Sequence, residues 1–353
     1  MTRLALVMIV RNEARSLARC LESVRGVVDR IIVLDTGSTD ATVEIARSLG
    51  AEVHHAPWPN DFAAARNAAL DLSDADWNLI LDGDEWLQGG AEALALLPPL
   101  GGGTPAFVGC GRIAEADSSG DMRVFAARLL PRGVRFAGRV HEQPATDLPQ
   151  ALLPLTIGHD GYAPAQLAAK QGRNEALLRA GIAERPDDPL LHYHLGRQHY
   201  IEGRHGEAAD SFVAANRLAA PDLPIRLSLV VYTIVALRLA GRFEEALALV
   251  DAEQDNWEHA PDFFYAVAEL YLEWAYRNPE TARDELLPVV ECAWLKCLQI
   301  GEKPELTGSI EGIGSWRAAE KLAHLYAALG LDGEAGRYAA MSRDMRAGAK
   351  VAA

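Results

Sequence analysis

Over its first eighty residues the chain alternates short apolar runs with amphipathic segments, and this alternation restricts the fold more than any other feature. Leu4–Val10 is apolar throughout, as a strand buried on both faces must be. Residues 13–24 follow helical spacing, with Leu17, Leu21 and Val24 on one side. Residues 31–34 predict a second strand. Ser38, Thr39 and Asp40 offer a cap to a helix filled by Val43, Ile45, Ala46 and Leu49, and Gly50 ends it in the left-handed manner of a helix C-terminus. A short third strand at 51–55, an alanine-rich helix at 61–72 and a fourth strand at 77–81 continue the series. Such alternation implies a largely parallel, doubly wound α/β sheet. Ligands on such sheets bind at the carboxyl ends of the strands.

Four polar segments therefore converge on one rim: Arg11-Asn12-Glu13, Asp35-Thr36-Gly37-Ser38-Thr39-Asp40, the stretch from Asp61 to Asn67, and Asp82-Gly83-Asp84. Asp-Gly alone is a common turn dipeptide. Two carboxylates one residue apart at the tip of a buried strand can also hold a divalent cation. A hard cation with open positions can in turn hold a diphosphate.

Composition narrows the function classes. The chain has 353 residues, 49% of them apolar, enough for two domains with cores. Its formal net charge of −15 argues against nucleic-acid binding through a basic surface. Cys20, Cys110, Cys292 and Cys297 show no metal or redox spacing and suggest a reducing compartment. Leu4–Val10 is too short for a membrane span and is followed at once by Arg11-Asn12-Glu13, so the expectation is a soluble, cytoplasmic protein.

Taken in order and spacing, Val7-Met8-Ile9-Val10-Arg11-Asn12-Glu13, Asp35-Thr36-Gly37-Ser38-Thr39-Asp40, Asp61-Phe62-Ala63-Ala64-Ala65-Arg66-Asn67 and Leu81-Asp82-Gly83-Asp84-Glu85 resemble family 2 glycosyltransferases with the GT-A fold. The resemblance covers residues 3–165. It is strongest to bacterial members carrying tetratricopeptide-like repeats behind the transferase domain, some of which glycosylate peptides or proteins. It implies an α/β GT-A (Rossmann-like) nucleotide-sugar-binding domain at residues 1–165. It also implies a donor pocket of Val10, Asn12, Glu13, Asp35, Arg66, Asp82 and Gly83. Asp35 would accept a hydrogen bond from the base or ribose, and Arg66 would meet the diphosphate or the base. Asp84 would bind Mn²⁺ or Mg²⁺ directly, with Asp82 facing the ribose or a metal-bound water. The donor would be a nucleoside-diphosphate-sugar, a UDP-sugar before a GDP-sugar. Where many members carry a second acid, this chain has Thr36. Gly83 makes no demand of its own, because that position varies in the family. Asn67 reads as a structural tie between its helix and a loop.

The acceptor side follows a strand-like stretch at 124–130 and a turn at Pro131-Arg132-Gly133. In the resembled subgroup a His-Glu pair closes the next segment, here His141-Glu142. An inverting transferase needs one general base to deprotonate its acceptor. Glu142 is the first candidate, His141 the rival, and Glu85 a third. The competing structural role for Glu142 is an ion pair with Arg132, Arg135 or Arg139. A strand at 152–157 leads to His159, which the resemblance offers as a further metal ligand. An imidazole there favours Mn²⁺ over Mg²⁺. Lys170, Arg173 and Asn174 match a segment of the same subgroup, and the reading preferred is that they tie two domains together.

From about residue 166 the pattern becomes helical, and residues 166–353 read as an all-α tetratricopeptide-like repeat domain. Leu195-Gly196, Gly203, Ala208, Phe212 and Ala215 match that repeat at its own offsets, with Phe212 filling the groove between paired helices. Gly241, Ala246 and Val250 lie 38 residues after Gly203, Ala208 and Phe212, against a usual period of about 34. Further helix pairs are expected at 261–277 with 280–300, broken at Asn278-Pro279, and at 320–329 with 332–343. The glycine-rich stretch 300–316 is expected to be a mobile loop over a site or groove. Cys292 and Cys297 are expected in the core. Stacked helix pairs expose a concave face for a peptide, or for a second copy of the chain.

The leading reading is a metal-dependent, inverting glycosyltransferase acting on a hydroxyl or thiol. A nucleotidyltransferase would need a glycine-rich loop after the first strand, which Arg11-Asn12-Glu13 does not supply. A repeat adaptor with a decayed transferase domain conflicts with the intact Asp35, Arg66, Asp82 and Asp84.

Overall fold

The structure is a computed structural model, described here for residues 2–100, 106–115, 124–160 and 172–352. These separate into two compact units, the first ending at Glu184 and the second beginning at Arg185. The expected domain boundary at 165/166 and Lys170 lie outside the described residues.

The first unit is built on an eight-stranded sheet of order β3-β2-β1-β4-β7-β6-β10-β5. Its strands are β1 (Leu4–Val10), β2 (Arg30–Asp35), β3 (Glu52–His55), β4 (Trp77–Ile80), β5 (Glu85–Gly89), β6 (Val108–Glu115), β7 (Val124–Pro131) and β10 (Gln150–His159). A separate two-stranded pairing joins β8 (Phe136–Ala137) to β9 (Gln143–Pro144). The helices α1 (Leu17–Ser23), α2 (Thr42–Ser48), α3 (Phe62–Leu70) and α4 (Ala91–Ala95) connect the early strands. β1 pairs in parallel with β2 and β4, and β2 with β3. All seven residues of β1 are buried. Its alternate residues feed two cores, Leu4, Leu6, Met8 and Val10 on one face and Ala5, Val7 and Ile9 on the other.

The sheet is mixed rather than largely parallel. β7 runs antiparallel to both β4 and β6, and β5 runs antiparallel to β10 at the far edge. After β4 the chain therefore leaves the parallel block through Asp82-Gly83-Asp84 and enters β5, the edge strand paired with β10. α1 begins at Leu17, later than the periodicity predicts. Asn12 occupies the left-handed region (φ 57°) and residues 14–16 form a turn, so the helix is not entered until that loop is complete.

The second unit is helical: Pro189–Ile201, His205–Leu218, Arg226–Leu239, Phe243–Glu253, Pro261–Arg277, Leu287–Ile300, Trp316–Ala328 and Asp332–Ala352. Phe212 is fully buried, and a Cβ added at Gly196 would lie 2.6 Å from its ring, so the small residue is what lets the first helix pair close. Ala208, Ala246 and Val250 are buried at the offsets the repeat predicts. The stretch 301–315 packs on this unit. Asp262 accepts from Ile310 N (2.9 Å), Ser228 Oγ donates to Thr307 O (3.0 Å), and Glu302 accepts from Gly312 N (3.1 Å) and Ser315 Oγ (2.5 Å). Each end of the segment is thus tied by a side chain, which replaces the expectation of a free loop. Cys297 is buried as expected, whereas Cys292, five residues earlier on the same helix, faces outward.

Candidate active site

The rim segments of the first unit are stitched together by their own polar groups. Asn12 N donates to Ser38 Oγ (3.0 Å), and its side-chain oxygen accepts from Thr39 N (2.8 Å). Glu13 N donates to Thr42 Oγ1 (2.7 Å), and Ala14 N to Asp40 (3.2 Å). The loops after β1 and β2 therefore form one surface. Val10 lies beneath it, its carbonyl accepting from Thr36 N (3.0 Å) and Thr36 Oγ1 (3.1 Å). Thr36 thus serves the loop itself.

Asp35 is buried at the end of β2. Its carboxylate accepts from Gly37 N (3.1 Å) and Ser38 N (3.2 Å), with His55 Nδ1 at 3.4 Å. Burial opposes its charge, but hydrogen bonds from Ser38, Gly37 and His55 outweigh it and hold the carboxyl below its ordinary range. The Asp-Thr-Gly-Ser turn is formed, and Asp35 is its organiser. His55 entered no sequence argument, although it stands at the end of β3 directly opposite Asp35.

Arg66 is the centre of the site. Asp61 caps α3 by accepting from Ala64 N (2.8 Å), and the helix carries Arg66 inward, where it is only 7% exposed. Its Nη2 donates to Asp82 Oδ1 (2.7 Å) and its Nε to Glu142 Oε1. Burial opposes the guanidinium charge, and the two carboxylates more than restore it. Among the described residues, the buried Arg66 Nη1 has no hydrogen-bond partner. A surface role for Arg66 is therefore excluded. Glu142 forms an ion pair, but not with the arginines nearest in sequence. Arg132 is bonded to Ala75 O and Asp76, Arg135 to Asp71, and Arg139 to Glu184. Asn67 holds β8 through Phe136, donating to its carbonyl (2.9 Å) and accepting from its amide (2.8 Å), which is the tie the sequence suggests. His141 is exposed, with left-handed backbone (φ 54°).

Glu85 is removed from the list of bases. It is 3% exposed and held by both Nε (3.0 Å) and Nη2 (2.6 Å) of Arg128. Arg128 also approaches Asp82 Oδ2 at 3.8 Å. Sequence reasoning gave Arg128 no role. The available signal was a lone charge within the apolar strand Val124–Pro131. Gly83 is constrained, since a Cβ there would lie 2.5 Å from Glu13 Cγ. The turn after β4 thus packs directly on the loop after β1.

Asp84 is buried, and His159 Nε2 lies 3.8 Å from its Oδ2. Oxygen and imidazole donors suit a divalent cation of the Mn²⁺ class. Asp82 is turned toward Arg66 and Arg128, and it stands 37% exposed. Among the described residues no group of three or more His, Cys, Asp or Glu side chains is arranged to hold a metal ion. The protein supplies a pair of donors here, which fits a cation whose remaining positions are filled by ligand oxygens. Arg173, in the helix Arg173–Glu184, stacks 5.2 Å above Phe62 at the start of α3, within the first unit. No described helix is long and apolar enough to cross a membrane.

The chain can now be set beside known proteins. A TPR repeat-containing protein of Synechococcus elongatus is 53% identical over 87 residues, 25% of this chain and 22% of the relative. The SPbeta prophage-derived glycosyltransferase SunS of Bacillus subtilis is 29% identical over 224 residues, 57% of this chain and 50% of the relative. Among solved structures, S. aureus TarS shares 11% identity, covering 65% of this chain and 52% of its own, at a TM-score of 0.35. The chain spans no more than half the length of these two curated relatives. Residues 5–143, which span β2 to β4, nearly all of β1 and every rim segment described above, match the model of Glycosyl transferase family 2.

Proposed function

We propose that the protein is an inverting, metal-dependent glycosyltransferase that moves a sugar from a nucleoside-diphosphate-sugar to an acceptor hydroxyl or thiol. The observation that carries this reading is Arg66. A buried guanidinium with one terminal NH2 group unsatisfied is costly unless something supplies an acceptor. It stands in a family 2 domain beside Asp82, where a donor diphosphate has oxygens to offer. Relatives bearing the name glycosyltransferase support the same reaction class.

In this reading Asp35 and the loop that it organises receive the nucleoside, and Val10, Asn12, Glu13 and Gly83 line its edge. A cation held by Asp84 and His159, with Asp82 at its edge, would neutralise charge on the departing diphosphate. Arg66 donates to the same leaving group. Glu142 takes the acceptor proton: Arg66 engages its Oε1, and among the described residues Oε2 accepts no hydrogen bond. The acceptor oxygen or sulfur then bonds to the anomeric carbon as that carbon's bond to the nucleoside diphosphate breaks, and the diphosphate leaves from the opposite face. The helical unit serves partner binding, for a peptide or protein acceptor or for a second copy of the chain.

Calorimetry with UDP and GDP, with and without Mn²⁺, tests the assignment, together with a donor screen that reads free nucleoside diphosphate by mass spectrometry. Expected is nucleotide binding that requires both cation and Asp84, and release of diphosphate from one donor. Triphosphate binding with pyrophosphate release would indicate a nucleotidyltransferase. Absence of nucleotide binding would indicate an adaptor.

A further inference from the structure

Beside the candidate cation pair stands a cluster of side chains that the reading above leaves without a role. Asp160 follows the last residue of β10, and its carboxylate is only 14% exposed. Arg15 grips it with both terminal nitrogens (2.9 and 2.8 Å), and Arg19 adds a third hydrogen bond (2.5 Å). Paired, charge-assisted contacts of this kind fix orientation as well as position. Arg19 is itself braced, its guanidinium stacking 3.6 Å from the centre of the Trp86 ring. Trp86 lies opposite Gly158 in the β5–β10 pairing, and a Cβ at Gly158 would overlap its ring.

The consequence falls on His159. Successive side chains of an extended segment point to opposite sides, so fixing Asp160 on one side aims His159 to the other. The Asp160 amide also donates to the Asp84 carbonyl (3.4 Å). The peptide between residues 159 and 160 is therefore held at its carboxylate by two arginines and at its amide by the candidate metal residue. Between these anchors His159 Nε2 stands 3.8 Å from Asp84 Oδ2.

We propose that Asp160, clamped by Arg15 and Arg19 against Trp86, is a positioning residue that holds His159 toward Asp84 so that the two can share a divalent cation. This rests on the metal-dependent reading above. Outer partners that orient a ligating histidine typically govern cation affinity by about 10–100-fold.

The test is Mn²⁺ affinity of the full chain with saturating UDP, read from the electron paramagnetic resonance of free Mn²⁺. The variants are Asp160→Asn, the double Arg15→Gln/Arg19→Gln, His159→Ala and the combination Asp160→Asn/His159→Ala. Arg15 and Arg19 are nearly half exposed, so their replacement leaves the fold intact and provides an independent route to the same answer. Expected is a loss of about 10–100-fold for Asp160→Asn and for the arginine double. A similar or larger loss is expected for His159→Ala, with no further loss when Asp160→Asn is added to it. A purely structural Asp160 would give losses that multiply in the combined variant, and that result overturns the proposal, as does wild-type affinity in Asp160→Asn. In either of these cases Mn²⁺ binding by the wild type, lost in Asp84→Asn, leaves the metal-dependent reading standing. Wild-type protein that binds UDP but no Mn²⁺ removes both.

Discussion

Replacing Arg66 by methionine removes a buried cation from between two carboxylates, and the two should respond unequally. Asp82 is 37% exposed and can be rehydrated where it stands. The Glu142 side chain is 10% exposed and has Arg66 as its ion-pair partner, so its charge would be left without compensation. Breaking a buried pair from one side costs about 3–5 kcal/mol, most of it the price of the abandoned charge. The second variant, Arg66→Met/Glu142→Gln, abolishes that charge and should recover the greater part of the loss. Glu142→Gln alone leaves Arg66 paired with Asp82 and should cost less than Arg66→Met. The assay is hydrogen exchange at the β1 and β4 amides, which lie in the core of the first unit and report its opening free energy separately from the helical unit. If the double variant is as unstable as the sum of the two single variants, Glu142 is not the charge that Arg66 neutralises, and the account of the site fails at its centre.

Asp84→Asn should abolish metal-dependent nucleotide binding and donor hydrolysis while leaving the circular dichroism spectrum unchanged; full activity would refute the metal assignment. Glu142→Gln should bind donor with wild-type affinity but lose transfer, and undiminished turnover would move the base elsewhere. Gly83→Ala should weaken nucleotide binding, because the new methyl group collides with Glu13 and pushes apart the loops after β1 and β4; unchanged affinity in calorimetry would show that the turn yields freely. Asp262 in the helical unit is pushed up to about 6 by burial, with a smaller contribution from Glu302, so folding favours its neutral form and this stability is lost as pH rises from about 4 to about 6. Urea unfolding of wild type and Asp262→Asn should show their stability difference changing by about 2 kcal/mol between pH 4 and pH 7, and a constant difference would refute the assignment.

The sequence was most legible where a single segment carries its own physics. The burial of Leu4–Val10, the Asn67 tie and the packing of Phe212 on Gly196 each follow from residue type and local spacing. Legibility ended where an ionic partner is chosen across the fold. Glu142 has three arginines within ten residues, yet it pairs with Arg66, 76 positions away. The β8–β9 pairing turns it inward, while Arg132, Arg135 and Arg139 are drawn to acceptors of their own. Glu85 looked available because its partner, Arg128, is 43 residues distant in a strand that otherwise reads as apolar core. The segment 301–315 looked free because glycine content reports what a backbone can do. It does not report that Asp262, Ser228 and Glu302 will hold it.

The two aspartates of the turn after β4 owe their different chemistry to these distant partners. They are one residue apart in sequence, and an isolated Asp-Gly-Asp would give them similar roles. In the fold, Asp82 meets the guanidinium groups of Arg66 and Arg128, whereas Asp84 is buried beside His159. A guanidinium neutralises a carboxylate permanently, because it does not give up its proton near neutral pH. An imidazole is a neutral donor over much of that range and can share a cation with the carboxylate beside it. In the proposed reading these partners set Asp82 on the side of the site that meets the diphosphate and Asp84 on the side that meets a cation. Gly83, with no room for a side chain against Glu13, is the point at which one turn serves both.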